Sequence, residues 1–192
     1  LASMVIEAEE ADDQDLIRSL CRSGLKARTM VWARMRDDDL AAALRCGADI
    51  VHLSISASDI QIERKLKQSR TWVLHTITRF VQRAADAGCL VTVGFEDASR
   101  ADDAFLARAA AAAQTAGAVR VRYADTLGIL DPFETHRRIA ALRREIDIGI
   151  EIHAHNDLGL ATANTLAAWC AGATHASTTV NGLGERAGNA AL

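Results

Sequence analysis

Residues 148–157 read Ile148-Gly149-Ile150-Glu151-Ile152-His153-Ala154-His155-Asn156-Asp157. Successive side chains of a strand point to opposite faces. Ile148, Ile150 and Ile152 therefore share one face, and Glu151, His153 and His155 share the other. The same split recurs along the chain. Val51, Leu53 and Ile55 oppose His52, Ser54 and Ser56; Val91, Val93 and Phe95 oppose Thr92, Gly94 and Glu96. Val119, Val121 and Tyr123 oppose Arg120, Arg122 and Ala124, and His175, Ser177, Thr179 and Asn181 share a face in the last run. A parallel sheet covered by helices on both sides would be apolar on both faces. A polar face on strand after strand instead predicts an α/β fold of the (β/α)8 TIM-barrel type. Its apolar face lies under an outer ring of helices, and its polar face lines an interior that opens on a ligand site at the C-terminal ends of the strands.

Outward from that stretch, a helical run repeatedly gives way to a β-branched run at a glycine: Gly24, Gly47, Gly88, Gly117 and Gly172. Glycine just past a helix takes the left-handed conformation that closes it. Helices are expected over 38–45, 60–87, 103–116, 132–146 and 160–171, with Asp131-Pro132 as a cap followed by a first-turn proline. These units give six strands, where a barrel of this kind has eight in about 250 residues. Residues 1–192 are thus expected to be one partial TIM-barrel catalytic domain, beginning near the end of the second strand, lacking the C-terminal region and inactive by itself.

Bulk properties narrow the function. A chain of 192 residues that is 49% hydrophobic and 24% charged has the apolar mass for one sizeable core. Its basic residues are scattered and the net charge is −3, which argues against nucleic acid as a partner. No apolar stretch is long enough to span a bilayer, and Leu1-Ala2-Ser3-Met4 has no signal-peptide pattern. Cys21, Cys46, Cys89 and Cys170 have neither metal-finger nor redox spacing and read as free thiols of a cytoplasmic protein.

Five stretches carry candidate chemistry. His153 and His155 lie two apart at the C-terminal end of a strand, about 6–7 Å apart at the backbone, so both imidazoles can reach one ion. The alternative is a pair hydrogen-bonded inside the barrel. Nitrogen and oxygen donors without thiolate suit Mg, Mn, Zn or Co. Asn181-Gly182-Leu183-Gly184-Glu185-Arg186-Ala187-Gly188-Asn189 reads as a close-packed loop at the barrel mouth, or as a plain glycine-rich turn. Glu96 ends the inward face of its strand, where Asp97 or Ser99 could equally cap a helix. Tyr123-Ala124-Asp125-Thr126-Leu127-Gly128 occupies another strand end. His52, with Ser54 and Ser56, is either a satisfied core histidine or part of the inward polar set. Trp32, Trp72 and Trp169 read as packing.

Together, His153-Ala154-His155-Asn156-Asp157 and the run from Asn181 to Asn189 resemble the metal-dependent barrel family that contains 2-isopropylmalate synthase, citramalate synthase, homocitrate synthase and hydroxymethylglutaryl-CoA lyase. Val31-Trp32-Ala33-Arg34, Glu96-Asp97-Ala98-Ser99-Arg100-Ala101-Asp102, Arg122-Tyr123-Ala124-Asp125-Thr126 and Gly159-Leu160-Ala161-Thr162-Ala163-Asn164-Thr165-Leu166 are most similar to its nitrogenase-associated homocitrate synthase branch. The resemblance implies a Claisen-type condensation of acetyl-CoA, as co-substrate, with a metal-bound 2-oxo acid, followed by thioester hydrolysis. It further implies that His153 and His155 ligate the metal, that Asn189 is a weaker contact to it, and that Thr126 holds the substrate carboxylate. His52 and Glu96 would stand around the substrate, and the full-length protein would be a homodimer. One departure stands out. The family's first strand carries an Asp-Arg-Glu or Arg-Asp-Gly type motif with a carboxylate ligand and a catalytic arginine, and nothing in residues 1–192 matches it. Glu7, Glu9 and Glu10 read as the loop and helix that follow such a strand.

Within that resemblance the oxo acid stays open. 2-Oxoglutarate carries a distal carboxylate that needs a partner when buried. Arg122 is the first candidate and Arg34 the second, with a structural ion pair in the barrel wall as the alternative for Arg122 and a pairing with Glu151 as the alternative for the deeper Arg120. 2-Oxoisovalerate, the 2-isopropylmalate synthase substrate, needs no such cation. A lyase would carry a cysteine in the glycine-rich loop, and residues 181–189 have none. A non-catalytic binding module is the reading from another class.

Overall fold

The computed structural model describes residues 3–7 and 11–192. Seven parallel strands form one sheet in sequence order: β1 (Ser3–Glu7), β2 (Arg28–Arg34), β3 (Ile50–Ser56), β4 (Leu90–Glu96), β5 (Arg120–Asp125), β6 (Gly149–Ala154) and β7 (His175–Ser177). Helices connect them: α1 (Ala11–Cys21), α2 (Asp37–Cys46), α3 (Asp59–Gln61), α4 (Arg70–Asp86), α5 (Asp103–Thr115), α6 (Pro132–Glu145) and α7 (Ala161–Cys170). This is an incomplete (β/α)8 barrel. The six strands expected from the sequence are β2 to β7, and β1 precedes them. Glu7 ends β1 rather than opening a loop, while Glu9 and Glu10 lie outside the described residues.

The outward faces of β3, β4 and β6 are apolar, as the alternation requires. Leu53, Val93, Val121 and Ile150 are fully buried against Leu40, Ile77, Phe80, Ala109 and Ile139 of the helices. The sheet curls around its polar face. Arg122 on β5 brings Nη2 to within 3.8 Å of Met30 Sδ on β2. Those strands are three apart and would stand about 14 Å apart in a flat sheet.

Helix ends follow local chemistry. Gly47 closes α2 at φ 72°, and Gly24, Gly88, Gly117 and Gly172 also have positive φ. Asp131 caps α6 by accepting from Glu134 N at 2.9 Å, with Pro132 in its first turn. α5 is capped by Asp102, which accepts from Phe105 N at 2.8 Å, and not by Asp97 or Ser99.

Three expectations need correction. The helix expected over 60–87 is two pieces: α3 widens into a π-turn, Ile62–Leu66, which stops at Lys67 with φ 55° before Ser69 recaps α4 through Trp72 N at 3.2 Å. The last strand ends at Ser177, and Asn181 lies in a 3-10 turn at φ 57° rather than on the strand face of His175 and Ser177. Trp169 is 59% exposed, so its ring is not core packing. All four cysteines are free, and among the described residues no helix is long and apolar enough to cross a membrane.

Candidate functional site

Strand register stacks the inward side chains in levels. One level joins Trp32, His52, Thr92 and Arg120 as neighbours across β2 to β5. His52 Nδ1 pairs with Thr92 Oγ1 at 2.7 Å. Its ring lies over Gly94, where a Cβ would stand 2.4 Å from Nε2. Burial above all, then the charges of Arg122 and Arg120, hold His52 well below the usual histidine pKa. It is a neutral imidazole.

The next level pairs Gly94, Arg122, Glu151 and His175. Glu151 takes both arginines: Arg122 Nε at 2.6 Å on Oε1 and Arg120 Nε at 2.9 Å on Oε2. All three are buried, at 6%, 8% and 5% exposure for Arg120, Arg122 and Glu151. Guanidinium groups stay charged, so two cations share one anion. Burial pushes the Arg120 pKa down, and among the described residues neither its Nε nor its Nη2 makes a hydrogen bond, so it meets Glu151 as a charge pair alone. Arg122 is therefore in the wall ion pair weighed as its alternative, together with Arg120.

Above it, Ala124, His153 and Ser177 are neighbours, with His153 Nδ1 3.1 Å from Ser177 Oγ. The rings of His153 and His155 meet edge to face, centroids 5.0 Å apart and planes at 88°. Burial first, then Arg122 and His155, push His153 down to about 3. Burial, then Arg186, lowers His155. Both are neutral, which is the form that ligates metal. Among the described residues, His155 Nδ1 is buried without a hydrogen-bond partner.

The glycine-rich loop folds onto this end of β6. His155 and Asn189 form an antiparallel bridge, Asn156 N donates to Gly188 O at 2.9 Å, and Asn189 N donates to Gly182 O at 3.0 Å. Gly184 leaves room for the Asn189 side chain, since a Cβ there would meet Oδ1 at 1.9 Å. Arg186 clamps the loop, giving Nε and Nη2 to Asp157 at 2.8 Å each and Nη2 to Thr126 O at 2.7 Å.

The residues fit a divalent ion in part. Two neutral imidazoles stand side by side, one with an orphaned nitrogen, and Asn189 is bridged to His155. Among the described residues no group of three His, Cys, Asp or Glu converges, so a carboxylate ligand is not among them.

Thr126, half-buried at the end of β5, accepts on Oγ1 from Asp97 N at 2.8 Å. Glu96, on the rim, accepts from Lys65 Nζ at 2.7 and 2.8 Å and from Ser56 Oγ at 3.3 Å. Arg34 reaches across the rim to Asp39 in the first turn of α2, Nε to Oδ2 at 2.6 Å. The structure thus brings His52, Arg122, His153 and His155 into one interior stack and sets Thr126, Asn189 and Glu96 around its mouth. Arg34 points to α2. Sequence reading missed Lys65, because it falls in the break of an expected helix. It also missed the Arg186 clamp and the Asp97 contact, because neither follows from strand or helix periodicity.

Residues 4–192 match the family model described as HMGL-like. A 2-isopropylmalate synthase 2 of Caldanaerobacter subterraneus subsp. tengcongensis is 50% identical over 181 residues, covering 94% of this chain and 47% of that protein. A homocitrate synthase subunit alpha of Clostridium pasteurianum is 44% identical over 184 residues, covering 96% of this chain and 68% of that protein. The chain spans about half the length of the first relative and about two-thirds of the second. Among solved structures, an HMG-CoA lyase from Brucella melitensis superposes with a TM-score of 0.84 at 17% identity, over 99% of this chain and 74% of that one. That likeness bears on the fold.

Proposed function

The chain belongs to the HMGL-like family, and from that membership we propose that the protein is an acyltransferase that condenses acetyl-CoA with a 2-oxo acid, here 2-oxoglutarate, to give homocitrate. The methyl carbon of acetyl-CoA loses a proton and bonds to the ketone carbon. The ketone oxygen gains a proton, and water then cleaves the thioester to release CoA.

The observation that carries the choice of oxo acid is the charge balance of the interior. Among the described residues, Arg120 and Arg122 share Glu151, two buried cations on one buried anion. Burying an uncompensated charge is costly. 2-Oxoglutarate brings a second carboxylate, whereas 2-oxoisovalerate brings a branched apolar end. Arg122 lies one inward position below Ala124, the register neighbour of His153. That is about 7 Å along the strand, a span the carbon chain of 2-oxoglutarate covers.

A divalent ion held by His153 and His155, with Asn189 as a weaker contact, would polarise the ketone as a Lewis acid. Thr126 donates its hydroxyl proton to the near carboxylate of the oxo acid. Glu96, at the rim beside Lys65, handles the proton of the acetyl methyl. His52, neutral and buried, sets the polar floor against Thr92 and leaves the arginine charge for substrate. Arg34, turned to Asp39, is the second candidate for the distal carboxylate.

The 50% identical relative favours a second reading, 2-isopropylmalate synthesis from 2-oxoisovalerate. The test is release of free CoA thiol from acetyl-CoA by the full-length protein with Mg, Mn, Zn or Co. Homocitrate synthesis expects release with 2-oxoglutarate well above that with 2-oxoisovalerate, and Arg122→Met should narrow the gap. A preference for the branched acid would replace the first reading by the second. No oxo-acid-dependent release with any of these ions would remove both and leave a binding module.

A further inference from the structure

Thr126 is gripped at both polar ends. Its Oγ1 accepts from Asp97 N at 2.8 Å and its carbonyl accepts from Arg186 Nη2 at 2.7 Å. A hydroxyl that accepts a hydrogen bond keeps its own proton to donate. Among the described residues Thr126 gives that proton to no protein acceptor, so it is left for a ligand at the mouth of the barrel.

The Asp97 amide points at Thr126 from an unusual backbone. Asp97 stands at φ 60°, ψ 34°, in the left-handed region that residues with a Cβ enter at a cost, Asp and Asn least. Its carboxylate holds it there. Asp97 is fully buried, takes a hydrogen bond from Ser58 Oγ, and takes Arg100 Nε at 2.9 and 3.0 Å and Nη2 at 2.6 Å. Ser58 follows β3, Arg100 ends the 3-10 turn after β4, and Thr126 follows β5. Asp97 therefore ties three strand ends together: its carboxylate joins those of β3 and β4, and its amide is aimed at the hydroxyl that follows β5. Glycine would reach the same backbone angles without the cage, and the amide would then be free to turn.

We propose that Asp97 is a positioning residue that fixes the Thr126 hydroxyl as a donor to the oxo-acid carboxylate. This rests on the reading of Thr126 given above. Asp97 touches no substrate and acts through Thr126 alone.

The test is a double-mutant cycle in the full-length protein with 2-oxoglutarate and acetyl-CoA: Thr126→Val, Asp97→Ala and both together. Thr126→Val should raise KM for 2-oxoglutarate by roughly tenfold or more and leave KM for acetyl-CoA unchanged. Asp97→Ala should move the same constant in the same direction, and the double variant should be no worse than Thr126→Val. Asp97→Asn, which tolerates the left-handed backbone and still accepts from Ser58 and Arg100, should keep most of the affinity. Should Asp97→Ala fold poorly, Ser58→Ala, which removes one donor from the cage, enters the same cycle. Losses that multiply in full, or that fall equally on both substrates, would make Asp97 merely structural and overturn the proposal. An unchanged KM for 2-oxoglutarate in Thr126→Val alone would overturn the reading of Thr126 and this inference with it, and the single variant distinguishes that case.

Discussion

The His52 imidazole occupies the space that a side chain at Gly94 would need: a Cβ there would lie 2.4 Å from Nε2 and 2.9 Å from Cε1. The histidine is fully buried and tied to Thr92, so it has little room to retreat. Gly94→Ala should therefore overpack the barrel floor and cost about 1–3 kcal/mol, read as a lower midpoint in urea. An unchanged midpoint would mean that the ring swings aside freely.

The shared glutamate makes an asymmetric prediction. Glu151→Gln leaves two buried guanidinium groups without their anion. Arg120→Met leaves the Arg122–Glu151 pair intact, with Nε to Oε1 at 2.6 Å, and removes the surplus charge. Breaking a buried pair from the side that strands charge costs about 3–5 kcal/mol. Urea denaturation should show a large loss for Glu151→Gln and a small loss, or a gain, for Arg120→Met. The reverse order would contradict the charge balance assigned to the interior.

The same residues show how far the sequence could be read. Period-two alternation placed Arg120, Arg122, Glu151, His153 and His155 on one face, because a parallel strand leaves no other choice for side chains two apart. Alternation says which face a group is on and not which neighbour it takes. Arg122 was thus legible as interior, but its partner depended on the register of β5 against β6. β1 escaped notice because no closing glycine precedes it. Asp97 and Arg186 escaped because each sits at positive φ, where periodicity carries no information, and Lys65 because it lies in the π-turn that interrupts the expected helix. The juxtaposition of His153 and His155 was the most legible part, since two histidines two apart need only a strand end to bring them together.

Ser177 should matter to metal binding although it would not touch the ion. With Ser177 Oγ 3.1 Å from His153 Nδ1, the ring can donate from Nδ1 and keep the lone pair on Nε2 for an ion. Removing such a partner weakens metal affinity by about 10–100-fold. Zinc or manganese titration of Ser177→Ala should show that loss, with Ser177→Thr near wild type. His153→Ala with His155→Ala in a folded protein should abolish stoichiometric binding. Metal retained by that double variant would end the assignment.

Acid stability should depend in part on Glu134. Hydrogen bonds from Arg137 first, then Arg138, hold its carboxyl down at about 2, against 4.5 for an unperturbed glutamate. Both arginines also pair with Asp103, so Glu134 helps dock α6 on α5. A depressed pKa means stability fully present above about pH 4.5 and lost as the pH falls toward 2. The carboxyl is partly exposed, so solvent screening keeps the effect modest. Unfolding midpoints of wild type and Glu134→Gln should differ at pH 6 and converge toward pH 2. A gap that persists unchanged at pH 2 would rule out the ionised carboxylate as its source.

Arg186 should govern the order of the loop that carries Asn189. Its guanidinium bridges Asp157 after β6 and the carbonyl of Thr126 after β5, while its own backbone sits at φ 54°. Replacement by alanine would remove the clamp and keep the backbone cost, mixing two effects. Arg186→Gly separates them, since glycine takes that conformation readily and only the guanidinium is lost. The bonds Asn189 N to Gly182 O and Asn156 N to Gly188 O report on the loop directly. If the clamp orders the loop, both amides should exchange with solvent faster in Arg186→Gly by roughly tenfold or more, while amides in the middle of β4 keep their protection. Arg186→Lys should recover little, because an ammonium cannot span Asp157 and Thr126 with a planar fork. Equal protection of the two amides in wild type and Arg186→Gly would show that the glycine-rich loop holds its shape through its backbone bonds alone.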